Sequence, residues 1–364
     1  MGVFDGHGNE QLSHWLSANF SQIFFKVFAI FQQSFGLPHC IGYVRKLFPS
    51  EESYKSRCSR LYALNCPEFI SLSLSTSFAL CEELAMNIAH VDTAHGGSCA
   101  TVVAVTRSGF YAAKVGDCSA SLVTVPACVI LKTSDHRPST RPDEVHRVTS
   151  LGGLVYKGNS VGMAFSSLNV TRSLGDTLWR ANDDWKRDKT REASNSAALA
   201  VDESLSSFSR TKGCVGVSSD PEWYSCQCVK QEEEEENPFS FHWQVSTNSP
   251  DKTPSVKPRR FEQGAPSFFL VIGSDGFWET SANSAILQRL CSAKKIPSVP
   301  ELMEIAKDHI GSAPHDDSTV LIAKLDVDPT LLTPPEEARG GSDGEGSNRR
   351  ARRSNKDPLD YLFK

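Results

Sequence analysis

The sequence predicts an α+β fold in which antiparallel sheets are covered by helices. Short runs rich in Val, Ala and Tyr follow one another between residues 100 and 131 and are separated by turn signals, as in a meander of antiparallel strands. Amphipathic helical patterns occur before and after these runs. No strand is followed by a Gly-rich loop of the dinucleotide or P-loop kind, so a doubly wound parallel sheet is not expected.

Composition limits the class of protein. The chain has 364 residues, of which 39% are hydrophobic, enough for one large core or two smaller ones. A formal net charge of -5 implies no field that would attract nucleic acid. The 11 cysteines lack zinc-finger spacing, with Cys226 and Cys228 the one close pair, which favours a reducing compartment over a disulfide framework.

No targeting segment is recognisable at the start of the chain. Asp5 and His7 interrupt any apolar stretch that could serve as a signal peptide. The most apolar run, 23–35, is too short to span a membrane and contains Lys26. We therefore expect a soluble protein without a membrane span, located in the cytoplasm, the nucleus or both.

The first half of the chain predicts a strand end, two helices and a group of strands. Val3 and Phe4 end a strand, and apolar residues at three- and four-residue steps predict a helix from Asn9, its N-cap, to Phe35. A second helix is expected over 75–90. Residues 36–75 between the helices have no clear period and are interpreted as an insertion with one short helix at most.

Strands are expected at 100–105, 109–115 and 120–131, and Pro142 opens a short helix that Gly152 and Gly153 end. Strand-like pieces follow at 168–171 and 214–217. The polar segments 180–212 and 231–264, the second with the run Glu232–Glu236, are interpreted as solvated insertions within one domain.

The C-terminal part predicts a buried strand, two helices and a last strand. The apolar run 268–272 leads directly into Gly273-Ser274-Asp275-Gly276, and the second helix starts with a Ser298–Glu301 capping box. A strand over 319–325 closes the domain, which we expect to comprise residues 1–326. Residues 327–364 are rich in Pro, Gly, Ser and charge and are predicted to form a disordered tail.

Three acids stand at strand ends and suggest a metal site. Asp5, Asp275 and Asp316 offer oxygen ligands without a Cys or His cluster, which suits Mg²⁺ or Mn²⁺ rather than zinc. One carboxylate can bridge two ions about 3.5–4 Å apart, and the pair can activate a shared water for attack on phosphorus. His7 is placed to protonate a leaving alkoxide. Taken alone, however, Asp5-Gly6 is also an ordinary turn dipeptide.

Eight motifs in one order resemble the signature of the metal-dependent PPM/PP2C family of protein serine/threonine phosphatases. The resemblance covers residues 1 to about 326 apart from the insertions. The motifs are Gly2-Val-Phe-Asp-Gly-His-Gly8, Gly97-Ser-Cys-Ala100, Lys114-Val-Gly-Asp-Cys118, Asp135-His-Arg-Pro138, Leu151-Gly-Gly153, Thr171-Arg-Ser-Leu-Gly-Asp176, Gly273-Ser-Asp-Gly-Phe-Trp278 and Asp316-Asp-Ser-Thr319.

The resemblance implies a four-layer α-β-β-α sandwich of two antiparallel sheets flanked by helices. It also implies that Asp5 bridges two Mg²⁺ or Mn²⁺ ions, that the Gly6 carbonyl binds one of them, and that Asp275 and Asp316 complete the other. His7 would be the general acid, and Asp135 would help to hold a weaker third ion or simply form a turn.

Three further polar residues in these motifs are given structural roles. Asp117 and Asp176 follow glycines and are expected to fix loops by side-chain to backbone hydrogen bonds. Arg172 is expected to form a buried structural pair rather than to contact substrate.

Two features depart from the family pattern. The pair Asp316-Asp317 replaces the more usual Asp-Asn. The family also has a segment before the Asp-Gly-His motif that supplies a phosphate-binding Arg, a Glu-Asp pair and sheet strands, whereas here nothing precedes Met1. An N-terminally incomplete domain is therefore expected, either a fragment of a longer phosphatase or an impaired relative.

The leading hypothesis is an enzyme that dephosphorylates phosphoserine and phosphothreonine in proteins with a metal-activated water. The alternative is a catalytically impaired phosphatase-like scaffold that binds partners. A role with nucleic acid through the basic run Arg349–Arg353 is not favoured, because no basic face with interleaved aromatics accompanies it. Phosphorylated proteins are the expected partners, and a monomer is expected because nothing in the sequence requires an oligomer.

Overall fold

A computed structural model gives the fold. The described residues are 1–34, 67–106, 109–125, 128–151, 153–156, 160–163, 166–179, 216–230, 241–247, 267–292, 296–310 and 316–325. The predicted tail 327–364 and the predicted insertion 180–212 lie outside them, as does most of the predicted insertion 36–75.

Within the described part of the chain, the first sheet has six antiparallel strands. Its path is β1-β2-β3-β10-β11, and the two-residue β9 pairs with the start of β2. The strands are β1 (Gly2–His7), β2 (Gly97–Val105), β3 (Gly109–Val115), β9 (Leu174–Gly175), β10 (Glu222–Lys230) and β11 (Phe241–Thr247).

The second sheet has four antiparallel strands in the order β13-β12-β4-β5. These are β4 (Ser119–Val125), β5 (Cys128–Lys132), β12 (Ser267–Gly273) and β13 (Val320–Leu325). A small third sheet consists of β6 (Leu154–Tyr156), β7 (Ser160–Met163) and β8 (Ser166–Leu168).

Helices cover both large sheets. The first sheet is covered by α1 (Gln11–Ser34) and α2 (Pro67–Ala85), whose apolar faces form one core with side chains of β2 and β3. The second sheet is covered by α4 (Asp275–Trp278), α5 (Ser281–Cys291) and α6 (Val299–Ile310). Helix α3 (Pro142–Ser150) follows β5.

Strand β12 shows how the sequence builds the layers. Phe268, Leu270 and Ile272 point into the core between the two sheets, whereas Phe269 and Val271 point into the core under α5 and α6. Because successive side chains of a strand face opposite sides, a continuous apolar run is what a strand buried on both faces requires. The predicted α-β-β-α sandwich of two antiparallel sheets is therefore confirmed.

Several predicted elements differ in detail. β11 lies inside the predicted insertion 231–264, where the alternation of Phe241, Trp243 and Val245 with polar residues is surrounded by acidic and Pro-rich sequence. α2 begins at Pro67, inside the predicted insertion 36–75. The expected run 120–131 is two strands, β4 and β5.

The predicted meander is also interrupted. β3 and β4 belong to different sheets, so Gly116 and Asp117 form a crossing between the sheets rather than a hairpin turn. Among the described residues, no helix is long and apolar enough to cross a membrane.

Candidate active site

β1 carries Asp5, Gly6 and His7 at one end of the first sheet. It pairs with β2 so that Asp5 lies opposite Cys99 and His7 opposite Gly97. The chain turns immediately after β1 at Gly8, whose φ of 75° is a conformation that glycine adopts without strain. The Asn9 side chain then accepts a hydrogen bond from the Gln11 backbone N–H, 3.1 Å away, at the start of α1. The three residues are thus held between a strand and a helix.

Asp5 lies among other acids. Burial, the negative charges of Asp275, Asp117 and Asp316, and a hydrogen bond between the Asp5 and Asp275 side chains together raise the pKa of Asp5 to about 7. The pKa of Asp275 is raised by burial and by Asp117 and Asp316, although Arg137 opposes this shift. The fold therefore brings together three acids that are far apart in sequence, Asp5, Asp275 and Asp316, and adds Asp117. Their role as metal ligands stays a prediction.

The crossing between the sheets explains the position of Asp117. Gly116 has a φ of 82°, and a Cβ there would lie 2.2 Å from the Cys99 sulfur, so only glycine fits. This close approach lets the chain pass from β3 to β4 beside the end of β1. Asp117 accordingly faces the acid cluster, a position that its Gly-Asp context did not suggest. The loop role expected for Asp117 stays a prediction.

Asp275 and Asp316 come from the second sheet. Asp275 follows β12 and accepts a 2.7 Å hydrogen bond from the Gly276 N–H. The Ser274 N–H donates to the Thr319 carbonyl at 3.0 Å, and the Thr319 N–H donates to the Ser274 hydroxyl at 2.9 Å. These two bonds hold the end of β12 beside the start of β13, so that Asp275 and the exposed Asp316 lie at the same end of the sandwich.

One cation is bound to this cluster within the described ranges. Arg137 donates from Nε to Asp117 Oδ2 at 3.0 Å and from Nη2 to Asp275 Oδ2 at 2.7 Å, and its Nη1 contacts Glu279. Its guanidinium partly neutralises the acids. Sequence reasoning missed Arg137, because its partner Asp275 is 138 positions away.

His7 is paired with Asp176 rather than isolated. His7 Nε2 lies 2.6 Å from Asp176 Oδ2, and the Asp176 carboxylate also accepts a 2.5 Å hydrogen bond from the Ser173 hydroxyl. Burial lowers the pKa of His7, but the hydrogen bond and charge of Asp176, with Asp117 and Asp5, outweigh it, so that the pKa is raised. The Asp176 carboxylate thus contacts the His7 side chain of another motif. The loop role through side-chain to backbone hydrogen bonds stays a prediction.

Asp135 is used in a turn. Its carboxylate accepts hydrogen bonds from the Thr140 hydroxyl and the Arg137 backbone N–H, and its carbonyl accepts from Arg141 Nη1 at 3.1 Å. These contacts agree with the turn interpretation. A role for Asp135 with a third ion stays a prediction.

The tightest group of three acids in the described part of the chain is a different one. Asp143, Glu144 and Glu222 have ligand atoms within 4.8 Å of one another. All three acids form ion pairs with arginines: Arg141 contacts Asp143 and Glu222, while Arg147 and Arg172 contact Glu144. Although burial opposes it, these partners hold the pKa of Glu144 well below its usual range. This group is a buried ion-pair network, and it contains the structural pair expected for Arg172.

Comparison with known proteins agrees with the motifs. The family model "Protein phosphatase 2C" matches residues 1–313. The chain is 43% identical over 81 residues to "Probable protein phosphatase 2C 2" of Arabidopsis thaliana, covering 22% of this chain and 21% of that protein. It is 30% identical over 175 residues to "Probable protein phosphatase 2C 43" of Arabidopsis thaliana, covering 48% of this chain and 34% of that protein.

Among solved structures, the serine-threonine phosphatase 2C of Toxoplasma gondii is similar, with a TM-score of 0.42 and 14% identity over 89% of this chain and 83% of that one. The matched segments span only about a fifth to a third of the curated relatives' lengths. Because the family model matches most of the sequence, the chain belongs to the protein phosphatase 2C family.

Proposed function

We propose that this protein hydrolyses phosphoserine and phosphothreonine esters in proteins with the help of two Mg²⁺ or Mn²⁺ ions. The observation that carries the proposal is the convergence of Asp5, Asp117, Asp275 and Asp316 beside His7 at one end of the sandwich. Burial and neighbouring negative charges raise the pKa values of Asp5 and Asp275, an unfavourable arrangement in the absence of a cation, and such arrangements are concentrated at functional sites.

The donor set fits hard divalent cations. The cluster offers carboxylate oxygens and the Gly6 carbonyl, and this chemistry suits Mg²⁺ and Mn²⁺. Asp5 would bridge the two ions, the Gly6 carbonyl would bind one, and Asp275 and Asp316 would complete the other. When bound, the ions would lower the pKa of a water molecule and offset the charge of the phosphate group. Asp135 is retained as a candidate ligand for a weaker third ion.

His7 supplies the proton that the leaving group needs. Water adds to phosphorus as the phosphorus–oxygen bond to the seryl or threonyl side chain breaks, and the departing oxygen takes a proton from His7. The attacking water loses a proton to solvent, and His7 is protonated again from solvent. Its raised pKa keeps the imidazole charged over a larger part of the neutral range.

An impaired scaffold is the alternative, and Arg137 favours it. A guanidinium already bound to Asp117 and Asp275 offsets part of the charge that would attract divalent cations. If a divalent cation cannot displace Arg137 from these carboxylates, the chain would retain its fold and its binding surfaces but would lack phosphatase activity.

One experiment separates the two functions. The full chain is assayed with Mn²⁺ on a phosphothreonine peptide, and Mn²⁺ binding is measured by calorimetry. We expect both activity and binding, and we expect Asp275→Ala to abolish both because it removes a ligand. Glu304→Gln, which removes an exposed acid on α6, is the control and should change neither.

Activity that survives Asp275→Ala would refute the two-metal assignment. Mn²⁺ binding without hydrolysis would support the scaffold.

A further inference from the structure

The pairing of His7 with Asp176 is more than a surface ion pair. The Asp176 side chain is 4% exposed and the His7 ring 29%, and their polar atoms are 2.6 Å apart. The chain contains a useful contrast in His95 and Asp92, which are 2.9 Å apart with side chains 55% and 47% exposed. Solvent competes for the exposed pair, whereas it has little access to the Asp176 carboxylate, so Asp176 can restrict the orientation of His7.

The backbone around Asp176 is built to place this carboxylate. Asp176 is the non-glycine residue with positive φ in the described ranges, at 50°, and Gly175 before it has a φ of 75°. The Asp176 N–H donates to the Gly96 carbonyl at 3.1 Å, and the Gly175 N–H donates to the buried Glu82 carboxylate at 2.9 Å. An unfavourable backbone conformation held by several bonds is often found where a side chain must be placed for function.

Gly97 provides the space for the pair. A Cβ at Gly97 would lie 2.2 Å from Asp176 Oδ2 and 2.4 Å from His7 Nε2. Gly97 of β2 lies opposite His7 of β1 and opposite Gly175 of β9, which directly precedes Asp176. A side chain at this position of β2 would therefore separate His7 from Asp176. Three separate segments of the sequence are thus adapted to one contact.

We propose that Asp176 is the positioning residue of His7: its carboxylate accepts a hydrogen bond from Nε2–H, fixes the ring, and leaves Nδ1 as the atom that delivers a proton to the leaving oxygen. The catalytic part of this inference rests on the proposed phosphatase function. The Ser173 hydroxyl, bound to the same carboxylate oxygen, holds Asp176 in place. Asp176 does not itself touch the substrate.

Two substitutions test the orientation without destroying the turn. Asp176→Gly removes the carboxylate and retains the positive φ, which glycine adopts readily. Asp176→Asn retains an oxygen of the same position and size but not the charge, and Asn also tolerates positive φ. If the glycine variant fails to fold, as judged by thermal unfolding, the asparagine variant still tests the role of the charge.

The first readout is independent of activity. In metal-free full-length chain labelled with ¹⁵N-histidine, the two-bond ¹H–¹⁵N spectrum reports which ring nitrogen carries hydrogen, and His7→Gln identifies the His7 signals among the 10 histidines. We expect His7 to carry hydrogen at Nε2 in the wild-type chain and to populate the Nδ1–H tautomer in Asp176→Gly. A wild-type His7 without hydrogen at Nε2, or one unchanged in both variants, would overturn the proposal.

The second readout is the dependence on the leaving group. We expect kcat on a phosphothreonine peptide to fall at least ~30-fold in Asp176→Gly and less in Asp176→Asn, with little change in KM. On 4-nitrophenyl phosphate, whose leaving group departs without a proton, the loss should stay below about threefold. Equal losses on both substrates would indicate a merely structural role and contradict the proposal.

A double variant completes the test. If Asp176 acts through His7, then His7→Gln with Asp176→Gly should be no more than about twofold slower than His7→Gln alone. A clearly additive loss would contradict the proposal. If the wild-type chain hydrolyses neither substrate, the proposed function fails, and the histidine spectrum alone decides whether Asp176 positions His7.

Discussion

Arg137 donates a 2.7 Å hydrogen bond from Nη2 to Oδ2 of Asp275, so a guanidinium holds one of the carboxylates expected to bind a divalent cation. The same side chain also binds Asp117. A cation that enters the cluster must therefore compete with Arg137 for these oxygens. The strength of this competition would determine the affinity of the acid cluster for a divalent cation.

Removing Arg137 should strengthen metal binding. We expect Arg137→Gln to lower the Kd for Mn²⁺ by about 5–10-fold, which corresponds to about 1–1.4 kcal/mol, because a competing positive charge is lost. Titration calorimetry measures this change. The control is Arg289→Gln, which removes an arginine whose partner is Glu301 on the neighbouring helix. Unchanged or weaker Mn²⁺ binding would show that Arg137 orients Asp275 rather than competing with the ion.

Removing one acid should stabilise the chain in the absence of metal. Asp5 repels Asp275, Asp117 and Asp316, so we expect Asp5→Asn to raise Tm in metal-free buffer near pH 7.5. Mn²⁺ should raise the Tm of the wild-type chain, since a ligand that binds the folded state stabilises it, and should have little effect on the variant. Differential scanning calorimetry with and without Mn²⁺ measures both shifts. A lower Tm for the metal-free variant would argue against charge repulsion at this site.

Gly97→Ala should displace the His7–Asp176 pair. The added methyl group would overlap both Asp176 Oδ2 and His7 Nε2. We expect a loss of about 1–3 kcal/mol in the free energy of unfolding, as for an overpacked core, together with reduced phosphatase activity. Gly2→Ala on β1 is a matched control, because its new Cβ would lie no closer than 3.2 Å to a neighbour. Urea unfolding of the two variants tests the difference, and equal stabilities would contradict it.

His136 should make a contribution to stability that is lost in mild acid. His136 is buried, and its burial lowers the pKa of the imidazole to about 4, although the Glu222 carboxylate, 3.2 Å from Nε2, opposes the shift. The unfolded chain, with an ordinary pKa near 6.5, then binds more protons than the folded chain between pH 6.5 and pH 4. This contribution is fully present above pH 6.5 and is lost as the pH falls toward 4.

The Arg-bound carboxylates add a second acid-sensitive contribution. The pKa values of Glu144 and Glu222 are depressed in the folded protein, so their stabilisation is present above about 4.5 and is lost at lower pH. Urea midpoints are measured from pH 8 to pH 4 for the wild-type chain and for His136→Asn. The raised pKa values of Asp5 and Asp275 act in the opposite direction over this range, so the difference between the two profiles isolates the contribution of His136. The stability of the wild-type chain relative to His136→Asn should decrease as the pH falls from 6.5 to 4.5, whereas substitution of the exposed His14 should give a profile parallel to the wild type. Parallel profiles for the wild-type chain and His136→Asn would exclude this role for His136.

The sequence predicted the layers better than the contacts between them. Buried strands such as β12 and long amphipathic helices such as α1 have hydrophobic periods that a local window detects. The strand-end acids Asp5, Asp275 and Asp316 were recognisable because each stands beside a strand or turn signal. The partner of His7 was not recognisable in the sequence, because Asp176 lies 169 positions away and no local pattern links the two residues.

The misplaced elements have similar physical causes. The apolar alternation in 241–247 is short and lies between acidic and proline-rich residues. The polar composition of the whole segment therefore indicated an insertion, although the two-residue alternation is that of a strand, and β11 was missed. The Gly116-Asp117 dipeptide looks like a hairpin turn, but β3 and β4 diverge there into two sheets. An acid next to a glycine near a strand end, as in Asp5-Gly6, was the available signal that Asp117 belongs to the site.

The two sheets contribute opposite halves of the acid cluster: Asp5 extends from the first, and Asp275 and Asp316 from the second. A bound ion would thus be held by residues of both sheets, and its affinity would depend on how closely the two sheets pack against each other. On the proposed function, Phe110 of the first sheet and Phe268 of the second, with ring centroids 6.3 Å apart in the core between them, would be coupled to metal affinity although neither is a proposed ligand. A substitution deep in the sandwich would therefore lower activity by weakening cation binding at its rim.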